Sequence, residues 1–149
     1  MKKHVLRFAL FAMIAIAGFS SCKKSKDDNL AVTSENMVGS YRLADIKMKS
    51  SLTGNAEASM MDQMEACDKD DLIKIQASNV LVIVDEGTKC ENDATTTWKL
   101  EGQKLTLNGG GFISGVFDVV SFTKSQLIVS TTENDGGISV TYTVVLNRQ

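Results

Sequence analysis

Apolar and polar residues alternate along the chain from Gly39 onward, in short runs that are separated by turn signals. The last run is the clearest, because apolar side chains occupy every second position from Ile138 to Leu146 and hydroxyl-bearing side chains fill most positions between them. A period of two residues is typical of a β-strand with one buried and one solvated face. The chain contains no proline that would interrupt a strand ladder. The pattern therefore predicts an all-β domain.

Eight runs of this kind follow one another with short connections. This order is expected of an antiparallel up-and-down barrel, because closure removes the exposed edges of an open sheet. A two-sheet sandwich would show the same periodicity and is the alternative. A change of phase after Leu43 in the first run predicts a β-bulge. The predicted strands cover residues 39–49, 71–76, 79–87, 95–100, 103–107, 112–122, 125–132 and 137–146.

The segment between the first two predicted strands has a different pattern. In residues 56–71, AEASMMDQMEACDKDD, the side chains of Met60, Met64 and Cys67 recur at helical spacing, with acidic residues between them. This spacing predicts a short amphipathic helix or turn. Methionine adapts to varied apolar surfaces, so the element would either cover the mouth of the barrel as a lid or plug one end of it.

The N-terminus has the layout of a secretory signal peptide. Lys2, Lys3 and Arg7 precede an apolar run from Phe8 to Phe19, and two serines then lead to Cys22. Twelve helical residues reach only about 18 Å, well short of the roughly 30 Å hydrocarbon core of a bilayer. Small residues directly before a cysteine resemble a bacterial lipoprotein signal, in which that cysteine becomes the acylated N-terminus. The alternative is ordinary cleavage near the serine pair, which would release a free secreted protein.

The residues that follow Cys22 are mostly charged, and they predict a flexible tether. Within them, the tract KDD at residues 26–28 resembles the short acidic export signal of some surface lipoproteins of Bacteroidetes. We therefore expect a lipid-anchored protein of the outer membrane, which faces either the cell surface or the periplasm. The predicted organisation is a signal peptide at 1–21, an acylated N-terminus and tether at 22–36, and a barrel domain at 37–149.

Composition excludes several functional classes for the mature chain of 128 residues. The only histidine, His4, lies in the predicted signal, so nucleophile systems and zinc sites that need imidazole are excluded. The mature chain keeps 13 basic and 18 acidic residues, a net charge of −5 that argues against nucleic-acid partners. The acidic group Asp68, Asp70 and Asp71 lacks the glycine and distal glutamate of a calcium loop. We predict no catalytic residues, no metal and no cofactor.

Three cysteines occur in the chain, and assigning Cys22 to lipid leaves two. In an oxidising compartment Cys67 and Cys90 are then expected to form a disulfide. Two free thiols or a metal site with two cysteine ligands are the alternatives, although two cysteines alone do not complete a tetrahedral site.

Two stretches of the chain resemble a known family. VGSYRL, residues 38–43, is similar to the Gly-x-Trp signature in the first strand of lipocalins, with Tyr41 in the place of the tryptophan. The spacing from CDKDD through a second cysteine to WKLEGQKLTL resembles the lipocalin-like lipoproteins of Bacteroidetes, and the resemblance covers residues 37–149. It implies an eight-stranded barrel that carries a small molecule.

An eight-stranded barrel is just wide enough either to fill itself with side chains or to hold one small ligand. The side chains predicted to point into the barrel are mostly apolar, and a few are aromatic rings with a polar tip. Such a lining suits an apolar or aromatic ligand. The candidate ligand-binding residues are Tyr41, Met60, Met64, Trp98 and Tyr142. The alternative is a filled barrel that serves as an interaction module or as an accessory subunit of an outer-membrane assembly, with a protein partner that the sequence does not identify.

Overall fold

The computed structural model describes residues 28–87, 89–90, 92–110 and 113–149. The predicted signal peptide, the predicted lipid attachment site Cys22 and the first part of the tether lie outside the described residues. No helix within these ranges is long and apolar enough to cross a membrane.

The described residues form nine β-strands and a few single helical turns. The strands are β1 (Gly39–Ser50), β2 (Glu57–Ser59), β3 (Leu72–Ile75), β4 (Val80–Val84), β5 (Ala94–Glu101), β6 (Lys104–Asn108), β7 (Ser114–Phe122), β8 (Gln126–Asp135) and β9 (Ile138–Arg148). One turn of α-helix, α1, covers Ser34–Met37, and 3-10 turns cover Ser51–Thr53, Met61–Gln63 and Ala77–Asn79.

Eight of these strands close into a single antiparallel barrel. Neighbouring strands pair in chain order from β3 to β9, and β1 pairs with β3 on one side and with β9 on the other. The pairing of β1 with β9 runs from Tyr41 opposite Arg148 to Ser50 opposite Val140, which leaves no open edge between the first and last strands. The predicted barrel is confirmed, and the sandwich alternative is excluded. The ninth strand, β2, pairs with β1 beyond the end of β3.

The predicted β-bulge in the first strand is also confirmed. The register of β1 against β9 shifts between Leu43 and Asp45. This extra residue changes the phase of the strand, so that Leu43 and Ile46 both point into the barrel and are buried.

The two ends of the barrel differ. At one end lie the start of β1, α1, and the connections from β3 to β4, from β5 to β6 and from β7 to β8. We call it the closed end, because the fully buried Met37 of α1 covers it. At the other end, the open end, lie the segment 51–71 and the connections from β4 to β5, from β6 to β7 and from β8 to β9.

Residues 28–36 belong to the folded domain and not to a flexible tether. The backbone N–H of Leu30 donates to the carbonyl of Phe122 at 2.9 Å, and the N–H of Lys124 donates to the carbonyl of Asp28 at 2.9 Å. The side chains of Leu30 and Val32 pack against the core. Because these backbone and apolar groups find partners at the closed end, the domain begins by residue 28, and the tether predicted for 22–36 does not extend through residues 28–36.

The segment between β1 and β3, for which the sequence predicted a short amphipathic helix or turn, contains β2 and two single 3-10 turns. Residues 57–59 form β2 against β1, and the N–H of Met60 donates to the carbonyl of Ile46 at 2.7 Å. The 3-10 turn Met61–Gln63 follows. β1 pairs with β3 only as far as Arg42, so the later residues of β1 have backbone N–H and C=O groups that β3 does not reach. Residues 57–59 pair with β1 there. In an isolated helix, the backbone groups of these residues would form hydrogen bonds within the segment instead.

Candidate functional site

A cavity of about 540 Å³ opens at the open end of the barrel. This volume lies in the range of pockets that hold small molecules. Its floor consists of the buried side chains of Ile46, Phe117 and Val144. The remaining lining residues are the half-buried Met60, Met64, Asp68, Thr131 and Tyr142 and the exposed Gln63, Glu65, Ser114 and Glu133. The cavity therefore has an apolar floor and a polar rim.

The inward face of β8 shows why the barrel is packed at one end and hollow at the other. Leu127 and Val129 are buried in the core, whereas Thr131 and Glu133, the next residues on the same face, line the cavity. No register shift occurs between β8 and β9 over these residues, so the face is continuous. The change from branched apolar to polar side chains along one face ends the core and begins the cavity.

Residues 60–68, which we call the strap, cross the open end. The strap is attached at its start by β2 and by the hydrogen bond from Met60 to Ile46. Near its other end, Cys67 forms a disulfide with Cys90 in the connection between β4 and β5. The Cα atoms of the two cysteines are 5.7 Å apart, a usual separation for a disulfide. The predicted pairing is therefore present, and it holds the strap over the barrel.

The structure brings together three of the five residues predicted to bind a ligand. Met60 and Met64 reach the cavity from the strap, and Tyr142 reaches it from β9. Tyr41 and Trp98 are not among the lining residues and lie in the core near the closed end. The indole Nε1–H of Trp98 donates to the carbonyl of Gln76 at 2.8 Å, so its polar atom is satisfied within the protein.

Tyr41 and its neighbours lie at the closed end of the barrel. The Tyr41 hydroxyl, fully buried, donates to the carbonyl of Met37 at 2.7 Å. The guanidinium carbon of Arg148 lies 5.9 Å from the ring centroids of both Tyr41 and Phe122, and one of its nitrogens donates to the carbonyl of Val38 at 2.7 Å. Burial raises the pKa of Tyr41 above its ordinary value of 10.0, and the positive charge of Arg148 opposes part of that rise.

We expect Tyr41→Phe to lower the free energy of unfolding by about 1–2 kcal/mol at neutral pH, because the buried carbonyl of Met37 loses its donor. The raised pKa means that the folded state favours the neutral phenol. The wild-type protein should therefore keep this stabilisation below pH 10 and lose it as the pH rises through the folded-state pKa, whereas the variant should lack that dependence. Urea denaturation at neutral and alkaline pH measures both effects. Tyr142→Phe, at the cavity, is the control; an equal loss in both variants at neutral pH would contradict the assignment.

A second, smaller cavity of about 240 Å³ lies beside Cys67 and Asp68 of the strap. Ile73, Ile83 and Ile113 supply apolar side chains, and Asp71 and Asp85 supply carboxylates. Asp68 lines both cavities.

Carboxylates gather beside the smaller cavity. Oxygen atoms of Asp70, Asp71 and Asp85 lie within 4.8 Å of one another. Each of the three also interacts with other groups of the protein, and Asp85 accepts a hydrogen bond from the backbone N–H of Cys90 at 2.9 Å. Glu65 lies near the two cysteines, whose sulfur atoms are joined to each other and are not thiolate ligands. The carboxylate of Asp85 therefore supports the loop that carries Cys90.

Sequence reasoning missed most of the cavity. The floor residues Phe117 and Val144 and the rim residues Thr131 and Glu133 were not predicted as ligand contacts. The alternation in β8 contained part of the signal, because Thr131 and Glu133 continue the inward series that begins with Leu127. The strap residues Glu65 and Asp68 carried no periodic signal that would place them at a barrel mouth.

Comparisons with known proteins identify the domain type. A family model described as a lipocalin-like domain matches residues 32–129, roughly two thirds of the chain. The match begins in the segment that packs on the closed end and ends within β8. Searches of curated proteins and of solved structures find no significant match.

Proposed function

Because this chain belongs to the lipocalin-like domain family, we propose that it binds one small, largely apolar molecule in the cavity at the open end. The observation that carries the proposal is the contrast between the two halves of the barrel interior. The closed half is filled by buried side chains, whereas the open half leaves about 540 Å³ above an apolar floor. A barrel of eight strands can hold one small ligand in such a space.

We also propose that the protein works at a membrane, attached through acyl chains on Cys22. The signal-like N-terminus and the cysteine that follows it support this attachment. Cys22 precedes the first described residue, Asp28, by six positions, a covalent reach of at most about 20 Å. Asp28 lies at the closed end. An anchored protein would therefore keep its closed end near the bilayer and turn its cavity away from it.

The proposed location is the outer membrane, facing the cell surface or the periplasm, as in the lipocalin-like lipoproteins of Bacteroidetes that the chain resembles. Labelling cells with a palmitate analogue tests the attachment: the wild-type chain should be labelled and Cys22→Ala should not. Protease treatment of intact cells then distinguishes the two orientations, because a protein on the cell surface should be digested.

We propose binding without catalysis. The mature chain has no histidine, and the cavity combines an apolar floor with carboxylates that lie on its rim. A filled barrel that acts through its outer surface is the less favoured function. Val116 and Val120 are exposed on β7, but Asp118 lies between them and pairs with Lys104, which interrupts an apolar patch.

We expect the mature chain carrying Cys22→Ser, expressed without the signal peptide, to bind the uncharged dye N-phenylnaphthylamine with saturation at one site. The dye should brighten as it leaves water for the apolar floor. Its own emission is the suitable readout, because Trp98 lies in the core and not in the cavity. Met64→Trp should weaken binding about tenfold or more, because the indole occupies part of the cavity.

Leu52→Trp is the matched control for that substitution. Leu52 is 72% exposed and is not among the residues that line the cavity, so the same new side chain should leave dye binding unchanged. Absence of saturable dye binding, or equal weakening by both variants, would contradict binding in this cavity.

A further inference from the structure

We infer that the ligand of the open-end cavity is an apolar molecule that carries a positive charge, such as a long-chain amine or quaternary ammonium, and that fatty-acid anions are rejected. This inference rests on the proposed binding function and specifies the chemical class of the ligand. The cavity itself is the site, and the charges around it decide which apolar molecules enter.

Two walls of the cavity, the strap and β8, bear the same sign of charge. Glu65 and Asp68 lie on the strap, and Glu133 lies on β8. Among the described lining residues there is no lysine or arginine. A ligand whose apolar part lies on the floor must therefore place its polar end among carboxylates from both walls.

Arg42 and Lys47 lie on β1, which contributes Ile46 to the floor of the cavity, but they do not line the cavity themselves. Tyr41 and Leu43 point into the barrel, so Arg42 between them points outward. Arg42 pairs with Glu86, and Lys47 pairs with Glu57 at 3.3 Å. None of the four ion pairs found within the described part of the chain includes a carboxylate of the cavity. The rim charges are therefore not neutralised by these basic side chains.

The lining also suits the apolar and cationic parts of such a ligand. The ring of Tyr142 lines the cavity together with these carboxylates, and aromatic faces attract ammonium groups. The thioethers of Met60 and Met64 offer an adaptable apolar surface for an alkyl chain.

Of the three rim carboxylates, that of Asp68 is the least exposed to water. Asp68 is half-buried, whereas Glu65 and Glu133 are exposed. Because electrostatic interactions are stronger where protein excludes water, we expect Asp68 to contribute most to the repulsion of an anionic head group and to the attraction of a cationic one.

Displacement of the uncharged dye by three ligands with one common alkyl chain tests this inference. The ligands are dodecyltrimethylammonium, dodecanol and dodecanoate, each kept below its micelle-forming or solubility limit, with the Cys22→Ser mature chain. We expect the ammonium to displace the dye at a concentration about tenfold or more below that of dodecanoate, with the alcohol between them. Raising the ionic strength from roughly 0.02 M to roughly 0.5 M should narrow that gap.

Variants that remove the charge but keep the shape locate the effect. Asp68→Asn combined with Glu133→Gln should reduce the preference for the ammonium over dodecanoate severalfold, when each displacement is expressed relative to the affinity of the same variant for the uncharged dye. Glu35→Gln and Glu101→Gln together, at exposed positions of the closed end, remove the same net charge and should not change the preference.

The outcomes separate this inference from the proposed function. If the dye binds but dodecanoate displaces it as well as the ammonium does, the charge selection is overturned and binding in the cavity stands. If both double variants change the preference equally, the effect comes from net charge, and the inference is also overturned. If the dye shows no saturable binding, both the inference and the proposed function are overturned.

Discussion

Leu127→Ala is expected to lower the free energy of unfolding by about 2–5 kcal/mol, because truncating a buried leucine removes apolar contacts and leaves a void. Leu127 is fully buried and pairs across the sheet with Phe122 on one side and Leu146 on the other. Both partners are themselves buried, so the neighbouring backbone has little freedom to fill the space. The change tests whether the closed half of the barrel is a packed core.

Urea denaturation followed by circular dichroism measures this loss. Val120→Ala on the adjacent strand is the matched control, because Val120 is 61% exposed on the outer surface. We expect that change to stay within about 0.5 kcal/mol of the parent protein. A loss below about 1 kcal/mol for Leu127→Ala would contradict a close-packed closed half, since core truncations of this kind cost more.

Replacing both Cys67 and Cys90 by serine is expected to lower the free energy of unfolding by about 3 kcal/mol. The two cysteines are 23 positions apart. In the chain-entropy model, closing a loop of this length lowers the conformational entropy of the unfolded chain, which raises the free energy of unfolding by about 3 kcal/mol. The same substitution frees the strap near Cys67, so the dye affinity of the cavity should fall as well. Met60 would remain in place through its backbone hydrogen bond to β1.

Unfolding of the Cys22→Ser chain with and without a dithiol reductant measures the stability effect without mutation of the pair. The reductant should lower the midpoint of the parent protein and leave that of the double serine variant unchanged. Equal midpoints for the parent protein in both conditions would show that the disulfide does not stabilise the fold. Dye titration under the same conditions separates the effect on the strap from the effect on global stability.

Local pattern was enough to predict much of the barrel. The alternation in β9 appears in the structure as an inward and an outward face. The change of phase after Leu43 appears as a bulge. These features depend on residues close in sequence, because side chains of a strand alternate between two faces whatever the partner strand is. The pairing of Cys67 with Cys90 could also be predicted without the fold, because only these two cysteines remain once Cys22 is assigned to lipid.

The segments without a regular period were predicted less well. Residues 28–36 were interpreted as tether because of the charges before them, but Leu30 and Val32 pack on the core once the turn between β7 and β8 is in place. The methionines of the strap follow helical spacing, yet most of the strap is not helical, because β1 offers backbone partners and Cys90 fixes its other end. In both cases a distant element decided the conformation.

By itself, the sequence determined that the chain forms antiparallel strands with one apolar face and that Tyr41 and Tyr142 both belong to inward series. It did not determine their height along the barrel axis. The register between β1 and β9 places Tyr41 opposite Arg148 and Tyr142 opposite Met48, so one tyrosine lies in the closed end and the other lines the cavity. Alternation specifies the face of a strand, whereas height depends on hydrogen bonds between strands far apart in sequence, and for that reason only the tertiary structure separated the core from the binding site.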